Sequence, residues 1–521
     1  MEITLGMMCM KIQRTRNAGR NIAFGFIQKI YQIIMPFIMR TIMIYFMGIE
    51  YAGLNNLFSS ILQVLNLAEL GIGAALICSM YAPIAEDDVE KICALMNLYK
   101  KVFHIIGLVV LAIGVSLLPV LPKLIAGTIP ESLNLYILYL MYLANTVLSY
   151  WLFAYKNSLL YAHQRTDISS KILICTNTVQ YIIQILALVV FHNYYFYLCS
   201  SILAQIMTNV LTAVKVDKMY PSYQPRGELD KETIQDIQKK VLGLVTNKFG
   251  STILKSADSI VISAFLGLSV LALYQNYYFI LSAVISIIYI LYQSTIAGIG
   301  NSLIVENSKK NYSDFNTMTF GISWISTICC CCFMGLFQPF MKLWMGEERL
   351  LDYSIIICLV VYFYIYEIDQ MIGAYKDAAG IWYEDRFRPL FTALLNLILN
   401  IIMVRYIGLY GVLLSTVLSL LFLGIPWMIY NVFSLLFKDE NMWSYCFMLI
   451  KYAVAALSVV IITFFISQII PDKGFLTLLL KSVVCIICPV LLYYIIFYRN
   501  CYLQRVMTIG KRFIMRKLKR A

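Results

Sequence analysis

Charged side chains are scarce in this sequence. Only 13% of its 521 residues are Asp, Glu, Lys or Arg, whereas 61% are hydrophobic; a soluble protein carries about 25% charged residues. The mean hydropathy is +0.77. These values exclude a soluble globular domain. They indicate an all-α, polytopic membrane protein, since many apolar runs reach the length of a spanning helix.

Metal-binding and disulfide patterns are also missing. The chain has three His, and its 14 Cys lie mostly in apolar segments, where Cys behaves as a small hydrophobe. Cys485 and Cys488 form a CxxC among Val and Ile, with no second CxxC and no His nearby. Zinc is therefore not expected. We predict no metal, no cofactor and no disulfide framework.

Fourteen candidate spans emerge when the sequence is cut at charge clusters and at Pro, Gly and Asn breaks. An even number of spans places both termini on the same side of the membrane. No cleavable signal peptide is visible, so the first span is expected to act as the insertion signal. The candidates lie near residues 22–47, 54–80, 102–122, 134–155, 172–191, 194–214, 241–266, 270–299, 315–340, 353–375, 389–409, 411–436, 444–468 and 477–497.

The distribution of cations orients the chain. The net charge is +13, which in a soluble protein would suggest nucleic acid; here cytoplasmic cations beside spans account for it. Of the 41 Lys and Arg, 30 fall on the side of the termini, 4 in the opposite loops and 7 within spans, where Arg405 lies at the outer end of its span. Both termini are therefore predicted to be cytoplasmic. The basic tail is expected to bind the anionic inner leaflet, and nucleic acid is not an expected partner.

The same cuts divide the chain into segments. The outer loops are too short for a separate domain, and the largest cytoplasmic loop lies near the middle of the chain. We predict a cytoplasmic N-terminal segment, a six-helix lobe, a cytoplasmic linker, a second six-helix lobe, two additional spans and a basic tail. Their bounds are 1–20, 21–215, 216–240, 241–436, 437–497 and 498–521.

An internal repeat relates the two lobes. The stretch "YFMGIEYAGLNNLF" follows the first span and "AFLGLSVLALYQNYYF" follows the seventh, and Gly48 aligns with Gly267. One inserted residue then aligns Asn56 with Asn276. Parallel repeats with a binding site at their interface are a known plan for transporters.

Apart from Arg405, four cations lie within spans of the two lobes: Lys29, Arg40, Lys248 and Lys255. On a helix, Lys29 and Arg40 share a face about 16 Å apart, and Lys248 and Lys255 share one about 10 Å apart. Each charge at mid-bilayer costs at least ~2.5–3.5 kcal/mol, so we expect these side chains to face a hydrated cavity and bind an anionic substrate. Snorkelling to the membrane surface stays open as an alternative, above all for Lys29 and Lys248.

Four carboxyl groups within spans are candidates for coupling transport to an ion: Glu69, Asp258, Glu367 and Asp369. Asp258 follows Lys255 by three residues, so the two can pair on one helix face. Glu69 is a possible counter-charge for Arg40 or a proton-binding group. Glu367 and Asp369 point in roughly opposite directions. A structural ion pair is the alternative for each.

Three stretches carry a resemblance to a known family. They are "GIEYAGLNNLFSSILQVLNLAELGIGAAL", "YKNSLLYAHQRTDISSK" and "YIGLYGVLLSTVLS". With them the chain resembles the Wzx-type oligosaccharide flippases, in the polysaccharide-transporter branch of the multidrug/oligosaccharidyl-lipid/polysaccharide exporter superfamily. The resemblance covers nearly the whole chain and rests on Gly, Tyr and Asn at helix turns.

The resemblance implies two six-helix lobes in a V shape, with alternating access and a cationic central cavity. It implies that an undecaprenyl-(pyro)phosphate-linked oligosaccharide moves to the outer leaflet of a bacterial cytoplasmic membrane, for capsule or O-antigen assembly. Membrane lipids, a polysaccharide polymerase and chain-length machinery are the expected partners, and a monomer is expected.

Two other functions stay open. A multidrug antiporter of the same superfamily would need an acidic or aromatic cavity, because Lys29 and Arg40 repel a cationic drug. A membrane polysaccharide polymerase or ligase would need a catalytic site on the outer face. The short outer loops argue against the latter, so an enzyme is not expected.

Overall fold

The computed structural model describes residues 14–69, 72–127, 129–130, 133–471 and 474–508. The described residues form sixteen named α-helices joined by short turns, with no β-strand among them. This confirms the all-α fold. By contacts the chain divides into a first unit that ends at Ala272 and a second that begins at Leu273.

The first unit contains nine helices and the first turn of a tenth. Helix α1 packs against α7, α7 against α8, α4 against α5, and α2 against α9. A 3-10 turn, Asn66–Glu69, lies between α2 and α3. The helices are α1 (Arg14–Phe46), α2 (Ile49–Leu65), α3 (Ile72–Ala85), α4 (Val89–Ser116), α5 (Leu135–Trp151), α6 (Ala154–Ala162), α7 (Thr166–Val189), α8 (Tyr194–Met219), α9 (Lys231–Leu266) and α10 (Leu268–Val305).

The second unit contains the rest of α10 and six further helices. Helix α11 contacts α12, α15 and α16, and a cluster around Phe320, Tyr452 and Tyr493 fills the space between α11, α15 and α16. The two C-terminal spans therefore pack against the second unit. The helices are α11 (Ser308–Met345), α12 (Tyr353–Ala378), α13 (Arg388–Ser419), α14 (Ile425–Leu435), α15 (Met442–Gln468) and α16 (Phe475–Phe497).

The contact-based boundary at Ala272 places α9 with the helices before it. The predicted boundary at 216–240 followed the sequence repeat and stays a prediction. Helix α9 starts at the capping residue Asp230, which accepts hydrogen bonds from the backbone N–H of Thr233 at 2.8 Å and from its hydroxyl at 2.6 Å. These bonds hold the pKa of Asp230 below its usual value. The end of the predicted linker thus runs into the seventh predicted span as one continuous helix, Lys231–Leu266.

The two glycines that define the repeat have the same backbone conformation. Gly48 joins α1 to α2 with φ 112 and ψ 167, and Gly267 joins α9 to α10 with φ 91 and ψ 173. A side chain at this positive φ is strained, which explains glycine at both turns. The agreement supports the alignment of the two lobes.

Helix α13 contains the turn between two predicted spans. Ile407 and Gly408 leave the helical conformation. On either side of the turn Asn396 Nδ2 donates to Thr416 Oγ1 at 2.9 Å, and the Ser415 hydroxyl donates to Asn400. Side chains 15 and 20 residues apart on opposite sides of a turn can bond only if the chain reverses direction there. The two segments therefore form an antiparallel hairpin. The spans predicted at 389–409 and 411–436 are therefore two helices.

Nine helices among the described residues are long and apolar enough to cross a membrane, or ten when the bent pair α5–α6 counts as one span. That count takes Arg388–Leu435 as a single segment, which the hairpin divides in two. The structure thus supports a multi-pass membrane protein. The total of fourteen spans and the orientation of the termini stay predictions.

We expect Gly53→Val to destabilise the first unit. A Cβ built on Gly53 lies 2.3 Å from the carbonyl oxygen of Leu268, and a backbone atom cannot move aside cheaply. Overpacking of this kind costs about 1–3 kcal/mol, so the melting temperature in detergent should fall. Gly25→Val is the matched control, because nothing lies within 4 Å of its Cβ. Equal melting temperatures for the two variants would show that α2 and α10 are not in this close contact.

Candidate functional site

Arg40 lies in the last third of α1, and its guanidinium group points into the first unit. Nη1 donates to Asn56 Oδ1 at 3.3 Å, and Nη2 donates to the carbonyl oxygen of Ala272 at 3.1 Å. The group therefore joins α1 to α2 and to the first turn of α10. Both of these acceptors are neutral oxygens, which orient the guanidinium.

A group of tyrosines lies on one side of this cation. The Tyr197 hydroxyl lies close enough to interact electrostatically with Arg40, and its ring stacks on Tyr194 with centroids 5.4 Å apart. The Tyr142 hydroxyl donates to Asn55 Oδ1 and lies 2.9 Å from the Tyr194 hydroxyl, which therefore donates to it. Arginine donates hydrogen bonds, so the cation can bind a phosphate or a sugar oxygen.

The turn between α9 and α10 closes one side of the region. Ser269 donates to Glu50 at 3.1 Å; the two residues are 219 positions apart, as are Gly48 and Gly267. The N–H of Ala126 donates to the carbonyl of Ser263 at 2.9 Å. Together with Arg40, these bonds hold the α9–α10 turn against the first unit.

The other three predicted cations lie on helices of the first unit. Lys29 is half-buried on α1, near Tyr31, whose hydroxyl bonds the Thr178 hydroxyl at 2.8 Å. Lys248 and Lys255 lie in α9, and their side chains fall outside the described residues. Convergence of the four cations on one cavity therefore stays a prediction.

Two of the four carboxyl groups belong to the first unit. Glu69 ends the 3-10 turn and lies near Tyr150 and Tyr99; the Tyr150 hydroxyl itself donates to Asn66 Oδ1 at 2.9 Å. Tyrosine is thus the described neighbour of Glu69, whereas Arg40 bonds elsewhere. Asp258 is buried in α9, two residues after Ser256, which donates to Gln63 of α2 at 3.4 Å.

Glu367 and Asp369 belong to α12 and have different partners, as their opposite facing predicts. Glu367 is fully buried and accepts a hydrogen bond from the Tyr292 hydroxyl of α10 at 2.8 Å. Asp369 lies 3.7 Å from Arg388 Nη1. Asp369 therefore belongs to an ion-pair network, and Glu367 is the more isolated carboxyl group.

That network has a second buried carboxylate. Asp385, which is fully buried, accepts two hydrogen bonds from Arg388, at 2.7 and 3.0 Å. It also accepts one from Asn431 at 3.0 Å, and Lys376 lies 3.4 Å away. A fork-shaped pair with further donors satisfies a buried carboxylate.

The first unit has an equivalent cluster that motif reasoning missed. Asp167 is fully buried, with Arg165 at 3.0 Å, Lys171 at 3.6 Å and Arg20 at 4.0 Å. Upstream of it, Lys156 is buried and pairs with Asp217.

A sequence signal for these clusters exists. "AYK" occurs at residues 154–156 and again at 374–376, and each copy precedes one of the two buried aspartates, Asp167 and Asp385. The second copy thus repeats the first near the offset of the glycines. This short repeat places a buried lysine and a buried aspartate in each unit.

Solved structures share this fold. The lipid II flippase MurJ in an inward closed conformation superposes with a TM-score of 0.63, at 15% identity, over 92% of this chain and 99% of that chain. An inward-facing multidrug resistance MATE transporter of the MOP superfamily gives 0.61, at 16% identity, over 80% and 96%. A MOP superfamily transporter from Pyrococcus furiosus, whose binding pocket is described as reversed in polarity, gives 0.52, at 16% identity, over 80% and 94%.

The sequence matches no protein-family model and no curated protein. At these identities the structural likeness establishes the fold alone. The protein thus has the transporter fold shared by MurJ and the MATE proteins of the MOP superfamily.

We expect Arg388→Met to destabilise the second unit, because it leaves Asp385 and Asp369 buried without their main cation. Breaking a buried pair costs about 3–5 kcal/mol. Lys310→Met, which breaks the exposed pair with Glu306, should cost at most about 1 kcal/mol. Thermal melting of the purified variants compares the two. Equal losses would mean that the Arg388 network is not desolvated in the membrane.

Proposed function

We propose that this protein is a flippase for a polyprenyl-(pyro)phosphate-linked oligosaccharide, as in the Wzx-type family it resembles. The substrate would move from the inner to the outer leaflet of a bacterial cytoplasmic membrane, for surface polysaccharide assembly. Both termini are cytoplasmic in this proposal, and the basic tail lies on the anionic inner leaflet. A polysaccharide polymerase and chain-length machinery are the proposed partners of a monomeric flippase.

The observation that carries the proposal is the environment of Arg40. A cation within a membrane span is expensive unless it faces protein or water, and Arg40 of α1 contacts protein on two other helices, α2 and α10. A guanidinium donates through several N–H groups in one plane, which suits the fork-shaped recognition of a phosphate.

The multidrug antiporter is the alternative that the same fold allows. A cationic drug would be repelled by Arg40, whereas a pyrophosphate is attracted. The fully buried Glu367 in α12 does not decide between them, because a carboxyl group that binds a coupling ion serves either transporter.

The proposal is tested by reconstituting the purified protein into vesicles with a fluorescent undecaprenyl-pyrophosphate oligosaccharide. Dithionite quenching then reports the fraction of label in each leaflet. The proposal requires that the protein speed up flipping and that ethidium, an organic cation, not be transported. Ethidium transport without flipping would favour the antiporter.

We expect Arg40→Ala to slow flipping at least tenfold, because the phosphate loses its forked donor. Arg40→Lys keeps the charge without the fork and should give an intermediate rate. Lys451→Ala removes an exposed span cation that lies over the ring of Phe447, and it should leave the rate unchanged. A wild-type rate for Arg40→Ala at equal protein levels would exclude the proposed role.

We expect Glu367→Gln to abolish the response of flipping to an imposed pH gradient, because a buried carboxyl group takes up a proton at the least cost. Glu384→Gln, on an exposed loop residue, is the control. Glu69→Gln and Asp258→Asn test the remaining candidates in the same vesicles. If all three variants respond to the gradient like wild type, none of these carboxyl groups couples transport to protons.

A further inference from the structure

Four tyrosines of the second unit form a continuous aromatic row. Tyr274 and Tyr278 of α10 stack with centroids 5.6 Å apart. Tyr278 lies 6.4 Å from Tyr362 of α12, and Tyr362 lies 5.6 Å from Tyr366. We call Tyr274, Tyr278, Tyr362 and Tyr366 the tyrosine row.

Helical spacing extends the row with polar groups. On α10, Tyr289 and Gln293 share the face of Tyr274 and Tyr278, within about 100° of rotation. Gln293 Nε2 donates to the Tyr289 hydroxyl at 2.6 Å. From Tyr274 to Gln293 this face runs about 28 Å, close to the thickness of the hydrocarbon core.

Packing within the hydrophobic core does not account for the tyrosine row. Leu359 and Phe363 of α12 are fully buried, whereas Tyr278, Tyr362 and Tyr366 keep part of their surface exposed. Among these rings only Tyr274 is buried, at 3% exposure.

The row is also not an interfacial tyrosine belt. Tyrosines of such belts lie at the ends of spans, but Tyr362 and Tyr366 are in the middle of the 26-residue α12. A partly exposed row at this depth is suited to contact water or a polar ligand.

We propose that the tyrosine row binds the glycan of the transported substrate. A pyranose ring has an apolar C–H face that stacks on an aromatic ring, and hydroxyls at its edge that bond to phenol and amide groups. Tyrosine supplies both kinds of contact. Several rings in contact offer stacking surfaces for more than one linked sugar.

This inference rests on the proposed function and adds to it a glycan-binding subsite within the second unit. Phosphate recognition and glycan recognition are then separable by mutation, because they involve chemically different parts of the substrate.

The test measures binding of phosphate-free oligosaccharides to the purified full-length protein, first on a glycan array and then in solution with the best binder. We expect Tyr362→Ala and Tyr366→Ala each to weaken glycan binding at least tenfold. Tyr362→Phe keeps the ring and should weaken binding less than threefold, which also guards against a folding defect. Tyr406→Ala removes a tyrosine that is 83% exposed and should have no effect.

A second measurement separates the two subsites. Binding of undecaprenyl pyrophosphate without sugar should be unchanged in Tyr362→Ala and weakened in Arg40→Ala. Binding of the phosphate-free glycan should be weakened in Tyr362→Ala and unchanged in Arg40→Ala. The inference is wrong if the wild type does not bind glycans, or if glycan binding is unchanged in both alanine variants. It is also wrong if the alanine variants lose binding of tetraphenylphosphonium, an organic cation, instead of binding of glycan.

Failure of the inference and failure of the proposed function are distinguishable. If glycan binding does not depend on the row while the wild type still flips the lipid-linked oligosaccharide, only the inference fails. If the wild type does not flip that lipid at all, the proposed function fails whatever the array shows.

Discussion

The cost of a cation inside the membrane is the constraint on which the first unit depends. Arg40 can occupy α1 because Asn56 and the Ala272 carbonyl accept its hydrogen bonds. A helix carbonyl has a second lone pair beyond its helical bond, so Ala272 can accept without breaking α10. These bonds require α1, α2 and the start of α10 to stay close, and the contact between Gly53 and Leu268 permits that approach. The proposed substrate-binding role of Arg40 would use a guanidinium that these structural contacts already orient.

The two halves of the repeat contain equivalent glycine turns and equivalent buried carboxylates. Gly48 and Gly267 form equal turns, and the two "AYK" segments each precede a buried aspartate with an arginine partner. The partners have diverged: Asp167 is held by cations from α1 and α7, whereas Asp385 is held by Arg388 and Asn431. In each unit the buried carboxylate joins several helices, which favours a rigid body that moves as one piece.

Most of the fold could be predicted from the sequence because an apolar run and a glycine turn are local signals. Even the α13 hairpin follows from "YIGLYG" between two apolar runs. The buried ion pairs could not be predicted from charge patterns. Lys156, Lys376 and Arg388 lie between predicted spans, so they counted as cytoplasmic loop cations, and only tertiary contacts remove them from water. The tyrosine row escaped prediction because Tyr278 and Tyr362 are far apart in sequence and meet only when α10 packs beside α12.

The described charges suit an amphiphilic anion better than a cation. Arg40 in the first unit is oriented by neutral groups, whereas Asp369 and Asp385 in the second unit face Arg388 and Lys376. Those carboxylates are thereby engaged in stabilising the second unit, which leaves Glu367, bonded to a tyrosine, as its best candidate for binding a proton. A lipid-linked oligosaccharide needs a cation for its phosphate and neutral hydroxyl and aromatic surfaces for its sugars. In the proposed function Arg40 would meet the first need, and the tyrosine row would meet the second. A cationic drug would need an acidic group free of an ion-pair partner; Asp369 faces Arg388, and Glu367 is bonded to Tyr292, so the transport assay with ethidium decides between the two substrates.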